Sequence, residues 1–185
     1  WCIKMKNGSY LTFDVNFETY EEGKMRYLFW NTNKKDVDRI IYSMIEEYNP
    51  TILALAEYEK KVEDLAKGIK RHTNKSYVAM EKLACRVQIL INEKLGDSIK
   101  HCADHTNYTI KILPYNSYND NHIVVFVHLP SKMQDNREKN RHLLEQITCK
   151  INDLDESKNR KVIILGDFNL NPYEEAMTYL TGCNA

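Results

Sequence analysis

Side chains able to bind a metal ion or a phosphate group follow four apolar segments of this sequence. Asn31, Glu57 and His128 each end one apolar run, and Asp167 and Asn169 end another within Gly-Asp-Phe-Asn. In open α/β sheets, ligands bind beyond the carboxyl ends of the strands. If the four segments form neighbouring strands, we expect these five side chains to converge at one rim of a sheet.

The chemistry of this set suits a hard divalent cation and a phosphate. Carboxylate and amide oxygens, with no thiolate nearby, favour Mg²⁺ over Zn²⁺, and Mn²⁺ is an alternative of similar chemistry. Such an ion can orient a water molecule and neutralise the charge that develops on a phosphoryl oxygen. The pattern therefore predicts metal-dependent phosphate chemistry.

Each of the five residues also has a simpler structural interpretation. Asn31 could cap a following helix, and Glu57 could be the first solvated residue after its strand. His128 precedes Leu-Pro and could lie in a turn, while Asp167 and Asn169 could form a simple turn. The functional hypothesis depends on all five lying at strand ends.

Hydrophobic periodicity predicts the elements that would position these residues. Strands are predicted at Ser9–Phe17, Met25–Trp30, Thr51–Ala56, Ser76–Met80, Cys85–Ile91, Tyr108–Leu113, His122–Leu129 and Lys161–Gly166. Helices are predicted at Asp36–Tyr48, Glu59–Arg71, Asn136–Leu154 and Pro172–Leu180. Strand–helix–strand units mixed with consecutive strands indicate an α/β (α+β) fold, and a length of 185 residues predicts one domain over 1–185.

Composition excludes several classes of protein. Lys plus Arg and Asp plus Glu are both 26, so bulk positive charge does not hold this chain to nucleic acid or membrane. Five cysteines at wide spacings, without a CxxC pair, disfavour a disulfide scaffold and a structural zinc site. Free thiols indicate a reducing compartment, and we expect a cytoplasmic location. The apolar runs are strand-sized, so no membrane span is expected.

Four motifs resemble a known family. Leu28-Phe-Trp-Asn31, Ala56-Glu57, the strand ending at His128, and Gly166-Asp-Phe-Asn-Leu-Asn-Pro172 are similar to successive motifs of the endonuclease/exonuclease/phosphatase superfamily. Their order and spacing match from about Met25 onward. The resemblance implies a four-layer α/β sandwich of the deoxyribonuclease-like type and metal-dependent cleavage of phosphate esters.

The resemblance also implies a role for each residue. Glu57 resembles the metal-ligand glutamate of the family, and Asn31 the amide beside it that helps to bind the metal. Asp167 resembles the aspartate that orients or activates the attacking water, and Asn169 the amide that steadies the phosphate. His128 matches a histidine that some branches use near the scissile phosphate.

Arg86 is one further candidate, and the sequence departs from the family pattern at two points. Arg86 could face the same groove and bind substrate, or could simply be solvated. Ala56 stands where the family commonly has Gln. The family ends with a strand-end Asp-His pair, but no His follows His142 and no Asp follows Asp167.

We therefore expect a chain that lacks the C-terminal part of such an enzyme and is impaired without it. An exposed sheet edge would favour self-association or pairing with a complementary chain. The leading hypothesis is a Mg²⁺-dependent phosphoester hydrolase, a nuclease or phosphodiesterase that acts on a phosphoester substrate such as nucleic acid. A sugar- or lipid-phosphate phosphatase of the same fold, and a catalytically incomplete binding or assembly module, are the alternatives.

Overall fold

A computed structural model describes residues 10–15, 25–80, 85–114, 121–131, 137–154 and 161–170. Their contacts divide the chain into two compact units, Trp1–Ser98 and Ile99–Ala185. Each unit contains one mixed β-sheet together with helical segments. Sheets combined with helices confirm the predicted fold class, while the assignment of 1–185 to a single domain stays a prediction.

The described elements follow the predicted order with small changes at their ends. The strands are β1 (Tyr10–Val15), β2 (Met25–Asn31), β3 (Ile52–Ala56), β4 (Tyr77–Ala79), β5 (Val87–Asn92), β6 (Lys100–His105), β7 (Tyr108–Pro114), β8 (Asn121–His128) and β9 (Val162–Asp167). The α-helices are α1 (Asp38–Tyr48), α2 (Val62–Thr73) and α3 (Arg137–Leu154), and a 3₁₀ helix covers Glu93–Ser98.

The sheet of the first unit has the strand order β1-β2-β3-β5-β4. β2 and β3 are parallel neighbours joined through α1, whereas β1 pairs with β2, and β5 with both β3 and β4, in antiparallel fashion. Parallel neighbours need a crossover connection, which α1 provides. The carboxyl ends of β2 and β3 therefore lie at the same end of the sheet.

The core of the first unit explains why its central strands read as continuous apolar runs. All five residues of β3 are buried, and so are the four central residues of β2. Ile41 and Ile45 of α1 and Leu65 and Ile69 of α2 pack into the same cluster as strand residues. Ile40 of α1 is apolar but 52% exposed, so the buried face of this helix is narrower than its apolar sequence.

The sheet of the second unit has the order β6-β7-β8-β9. β8 and β9 are parallel and joined through α3, while the other two pairs are antiparallel. Leu144 and Ile147 of α3 pack in one cluster with Val125 and Val127 of β8. Among the described residues β9 pairs only with β8, and self-association through a sheet edge stays a prediction.

Sequence periodicity missed β6. Its residues Lys-His-Cys-Ala-Asp-His are mostly polar and show no apolar alternation, yet they pair with β7. Pairing with a strong neighbouring strand overrides weak local propensity. The predicted helix Pro172–Leu180 lies outside the described residues.

The described residues include three of the cysteines and the helices that bear on a membrane span. Cys85, Cys102 and Cys149 are free thiols, of which Cys85 is buried. No helix in the described ranges is long and apolar enough to cross a membrane.

Gly166 allows β8 and β9 to approach closely. It pairs with Val127, and a Cβ atom at Gly166 would lie 2.1 Å from the Val127 carbonyl oxygen. Backbone cannot yield as a flexible side chain can, so we expect Gly166→Ala to lower the free energy of unfolding by about 2 kcal/mol or more. Denaturant unfolding measures this loss.

Gly68→Ala is the matched control for Gly166→Ala. The three atoms nearest to a Cβ atom at Gly68 would all belong to the Tyr42 side chain, with its hydroxyl oxygen nearest at 2.2 Å. Alanine is also favoured over glycine within a helix by about 1 kcal/mol, which offsets the displacement of the ring. We expect Gly68→Ala to change stability by less than about 1 kcal/mol, and equal losses at both sites would contradict the interpretation.

His122 makes the second unit sensitive to acid. The side chain lies near the start of β8 and is 1% exposed. Burial, with a smaller contribution from the charge of Lys161, lowers the pKa of His122 from 6.5 to about 4. Between these values the unfolded chain binds a proton that the folded chain does not. The stabilisation is therefore complete above pH 6.5 and is lost as the pH falls towards 4.

We expect His122→Gln to flatten this pH dependence. Unfolding free energies measured from pH 7.5 down to 4 should fall by up to about 3 kcal/mol more in the wild type than in the variant. His142→Gln, at an exposed histidine of α3, should leave the wild-type dependence intact. Parallel curves for the wild type and His122→Gln would contradict the prediction.

Candidate active site

Asn31 and Glu57 lie together at the carboxyl ends of β2 and β3. Asn31 is the last residue of β2 and pairs with Ala56, the last residue of β3, so that Glu57 follows directly at the same end. Val87 of β5 pairs with Ala56 from the other side. Arg86, one residue before Val87, therefore lies at this end of the sheet too, and it is exposed.

The backbone at Glu57 is held in a conformation that residues with a Cβ atom rarely adopt. Its φ angle is 52°, in the left-handed region. The backbone N–H of Lys34 donates to the Glu57 carbonyl oxygen at 3.2 Å, and the hydroxyl of Thr32 donates to the same oxygen at 2.8 Å. Because this conformation costs a residue with a Cβ about 1–2 kcal/mol, it persists only where the surroundings hold it.

Asn31 does not cap α1. That helix begins at Asp38 with Val37 in the N-cap position. The Asn31 side chain instead accepts a hydrogen bond at its Oδ1 from the backbone N–H of Asn33, at 2.9 Å, which closes a tight turn after β2. A carbonyl oxygen has two lone pairs, so this bond is compatible with metal binding at the same atom.

His128 and Asp167 are directly paired across β8 and β9. His128 is 6% exposed and is the last residue of β8, which excludes the interpretation as a turn residue. Asn107, which precedes β7, accepts a hydrogen bond from the His128 backbone N–H at 2.7 Å. Its side-chain Nδ2 donates to the His128 carbonyl oxygen at 2.9 Å. These two bonds fix the end of β8.

Asp167 and Asn169 form a hydrogen-bonded turn after β9. The Asn169 backbone N–H donates to Asp167 Oδ1 at 3.1 Å, and Asn169 Nδ2 donates to the Leu129 carbonyl oxygen at 2.8 Å. Asn169 also has a left-handed backbone, with φ 49°. The turn interpretation is therefore correct as local structure, and it fixes both side chains beside His128 at the end of this sheet.

The six predicted site residues divide between the two units. Asn31, Glu57 and Arg86 belong to the first unit, and the other three belong to the second. Each group lies at the carboxyl end of a parallel strand pair. Their joint action at one rim stays a prediction.

The donor chemistry of the first group fits a Mg²⁺-type ion. Within the described part of the chain, no three His, Cys, Asp or Glu side chains cluster so as to hold a metal ion. Mg²⁺ keeps several water ligands and needs only one or two protein oxygens. The Glu57 carboxylate and the Asn31 amide supply such oxygens.

A charged network anchors the chain that follows Glu57. Lys60 Nζ donates to Asp36 Oδ1 at 2.6 Å and to Asp38 Oδ2 at 2.8 Å, and the Tyr58 hydroxyl donates to Asp38 Oδ1 at 2.8 Å. The hydrogen bond from Lys60 lowers the pKa of Asp36, and its two carboxylate partners raise the pKa of Lys60. Burial, and then the bond to Asp38, raises the pKa of Tyr58. The segment after β3 is thereby tied to the start of α1.

Two residues that contact the candidate site residues were not found from the sequence. The Thr32 hydroxyl donates to the Glu57 carbonyl oxygen, which is 25 positions away in sequence. Asn107 Nδ2 donates to the His128 carbonyl oxygen, which is 21 positions away. An isolated Thr after Trp-Asn and an Asn in a polar turn carry no periodic signal. These contacts are seen only in the folded structure, where the strand register brings distant segments of the chain together.

Sequence comparisons give no further assignment. No protein-family model matches this chain, and no curated protein matches it.

Several solved structures are similar to this one. TDP2 of D. rerio in complex with a single-strand DNA product has a TM-score of 0.57 at 17% identity, covering 86% of this chain and 65% of that one. The catalytic domain of human Nocturnin with a bound sulfate anion has a TM-score of 0.57 at 13% identity, covering 78% and 60%. An endonuclease/exonuclease/phosphatase family protein from Bacteroides thetaiotaomicron has a TM-score of 0.53 at 11% identity, covering 76% and 57%.

The chain therefore shares its fold with these solved structures, one of which is an endonuclease/exonuclease/phosphatase family protein, and this agrees with the fold that the sequence motifs implied. It spans less than two thirds of each of these three solved chains.

The left-handed backbone at Glu57 can be tested by stability alone. Glycine adopts this conformation without strain, whereas alanine retains the Cβ atom that causes it. We expect the free energy of unfolding of Glu57→Gly to exceed that of Glu57→Ala by about 1 kcal/mol. Chemical denaturation of the two variants measures the difference.

The same pair of substitutions at Glu63 is the control. Glu63 is exposed in the first turn of α2. There the order should reverse, with glycine less stable than alanine by up to about 1 kcal/mol. If the same substitution, to glycine or to alanine, gave the more stable protein at both positions, the interpretation of Glu57 as strained would be contradicted.

Proposed function

We propose that this protein is a divalent-cation-dependent phosphoester hydrolase, of the nuclease or phosphodiesterase type. The observation that carries the proposal is the placement of Asn31 and Glu57, and of His128 and Asp167, at the carboxyl ends of two parallel strand pairs. These are the residue types that metal-assisted phosphate chemistry requires. The fold shared with proteins of the superfamily supports it.

In this proposal Glu57 and Asn31 hold the cation, for which Mg²⁺ is the first choice and Mn²⁺ the substitute. A cation held there would neutralise charge on the phosphoryl oxygens. Glu57 supplies a full negative charge, and Asn31 supplies a neutral oxygen. The low number of protein ligands leaves coordination positions for water and substrate.

The remaining residues act on water and phosphate. Asp167 accepts a proton from a water molecule, whose oxygen attacks phosphorus while the ester P–O bond breaks. The departing alkoxide takes a proton from solvent water and leaves as the alcohol, and Asp167 returns its proton to solvent. Asn169 and His128 donate hydrogen bonds to phosphate oxygens, which stabilises the added charge of the transition state. Arg86, exposed at the end of the first sheet, binds a substrate phosphate.

Nucleic acid is the proposed substrate class. One similar structure, TDP2 of D. rerio, contains a single-strand DNA product. The net charge of zero means that attraction to a polynucleotide would come from local groups such as Arg86 and would weaken as salt increases. Sugar- or lipid-phosphate monoesters are the alternative outcome of the substrate test.

The test combines cation binding with hydrolysis. We expect calorimetry to detect Mn²⁺ binding, weakened by Glu57→Gln on the order of 10-fold or more because a charged ligand is lost. With Mg²⁺, single-stranded DNA should be cleaved faster than duplex DNA or a small phosphomonoester. Asp167→Asn should lower turnover about 100-fold or more, since it removes the proton acceptor.

Matched controls are available near each residue. Glu59→Gln changes an exposed glutamate two positions after Glu57, and Asp153→Asn changes an exposed aspartate of α3. Both variants should behave as wild type. Cation binding without turnover of any phosphoester would favour the binding-module alternative, and no cation binding at all would overturn the proposal.

A further inference from the structure

We infer that Thr32 is a positioning residue that holds the Glu57 backbone in its left-handed conformation and so orients the carboxylate for the cation. The inference rests on the proposed function of Glu57 as a metal ligand. It concerns a residue that neither binds the ion nor touches substrate in that proposal. Thr32 acts through hydrogen bonds to the backbone.

The contacts of Thr32 converge on the two peptide groups that flank the Glu57 Cα atom. Its backbone N–H donates to the Ala56 carbonyl oxygen at 2.9 Å. Its hydroxyl lies 3.1 Å from that same oxygen and 2.8 Å from the Glu57 carbonyl oxygen. Because a hydroxyl carries one hydrogen, the two oxygens share it, and the Glu57 oxygen is the nearer acceptor.

Burial makes these bonds strong constraints. Thr32 is 1% exposed, so water does not replace a lost partner. A buried hydroxyl without an acceptor, or a buried carbonyl deprived of its donor, is unfavourable. The Thr32 side chain therefore fixes the rotation of the peptide groups on both sides of Glu57.

The loop after β2 supports the same arrangement. Asn33 and Lys34 both have left-handed φ angles, of 49° and 58°. They turn the chain so that the Lys34 N–H also reaches the Glu57 carbonyl oxygen, at 3.2 Å. The Lys34 N–H and the Thr32 hydroxyl thus both donate to the Glu57 carbonyl oxygen.

The direction of the Glu57 side chain depends on this backbone. The φ and ψ angles set the direction of the Cα–Cβ bond, and the carboxylate lies two bonds further out. A relaxed backbone would move the carboxylate away from the place beside Asn31 that the proposed cation site requires. Groups that orient metal ligands in this way commonly change metal affinity about 10–100-fold when they are removed.

The experiment compares Thr32→Val with Thr32→Ser in the full chain. Valine has nearly the shape of threonine but lacks the hydroxyl, and serine retains it. We expect Thr32→Val to weaken Mn²⁺ binding about 10-fold in calorimetry, and Thr32→Ser to bind within a factor of about two of the wild type.

Thr73→Val is the control for loss of a buried threonine hydroxyl. Thr73 is 6% exposed in the same unit and donates to the Ile69 carbonyl oxygen at 2.7 Å. It should lower the melting temperature without changing Mn²⁺ affinity. If both valine variants weaken Mn²⁺ binding equally, the effect is general destabilisation and the inference is overturned.

A double-mutant cycle tests the backbone role without any metal. In the Glu57→Gly background the left-handed conformation carries no strain, so Thr32→Val should lower the melting temperature by less than it does in the wild type. Equal losses in both backgrounds would overturn the inference. If Thr32→Val alone fails to fold, recovery of folding in the double variant supports the inference, and failure in both overturns it.

The outcomes separate this inference from the proposed function. Absence of Mn²⁺ binding by the wild-type chain overturns the proposed function and the metal-positioning role together. Mn²⁺ binding that Glu57→Gln weakens and Thr32→Val leaves unchanged overturns the inference alone. Selective weakening by Glu57→Gln and Thr32→Val supports both.

Discussion

The register of two parallel strand pairs determines where the candidate site residues lie. In each unit a helix crosses over between two parallel strands, β2 and β3 through α1, and β8 and β9 through α3. Parallel strands present their carboxyl ends at the same edge, so polar residues that follow both strands become neighbours. Asn31 with Glu57, and His128 with Asp167, are brought together in this way although 26 and 39 positions separate them in sequence. A shift of either register by one residue would move one member of the corresponding pair to the other face of its sheet.

The loops beyond these strand ends are held in strained conformations by specific hydrogen bonds. Glu57 and Asn169 both adopt left-handed φ angles, at the ends of two different sheets. The hydrogen bond from the Thr32 hydroxyl to the Glu57 carbonyl oxygen holds the backbone of Glu57 in this conformation. The hydrogen bond from Asn169 Nδ2 to the Leu129 carbonyl oxygen holds that of Asn169. Strained backbone is concentrated at functional sites, because it places a side chain where function requires it although it lowers local stability.

Most of the strands, and the polar residues at their ends, could be predicted from the sequence for a simple physical reason. Strands buried on both faces, such as β3, read as unbroken apolar runs, and the first polar residue after each run marks its end. β6 could not be found because its polar residues gain their strand conformation from pairing with β7. Thr32 and Asn107 were missed because hydrogen bonds between distant segments leave no periodic trace. Ile40 shows that an apolar residue on a helix need not belong to the buried face.

The central claim is that Glu57 and Asn31 form a cation site at the end of β2 and β3. Anomalous diffraction from crystals grown with Mn²⁺ locates the ion directly. The account predicts a manganese peak within coordination distance of the Glu57 carboxylate and the Asn31 amide oxygen, at about 2.0–2.3 Å. A peak bound to other residues, with Glu57 turned away from any ion, would contradict it.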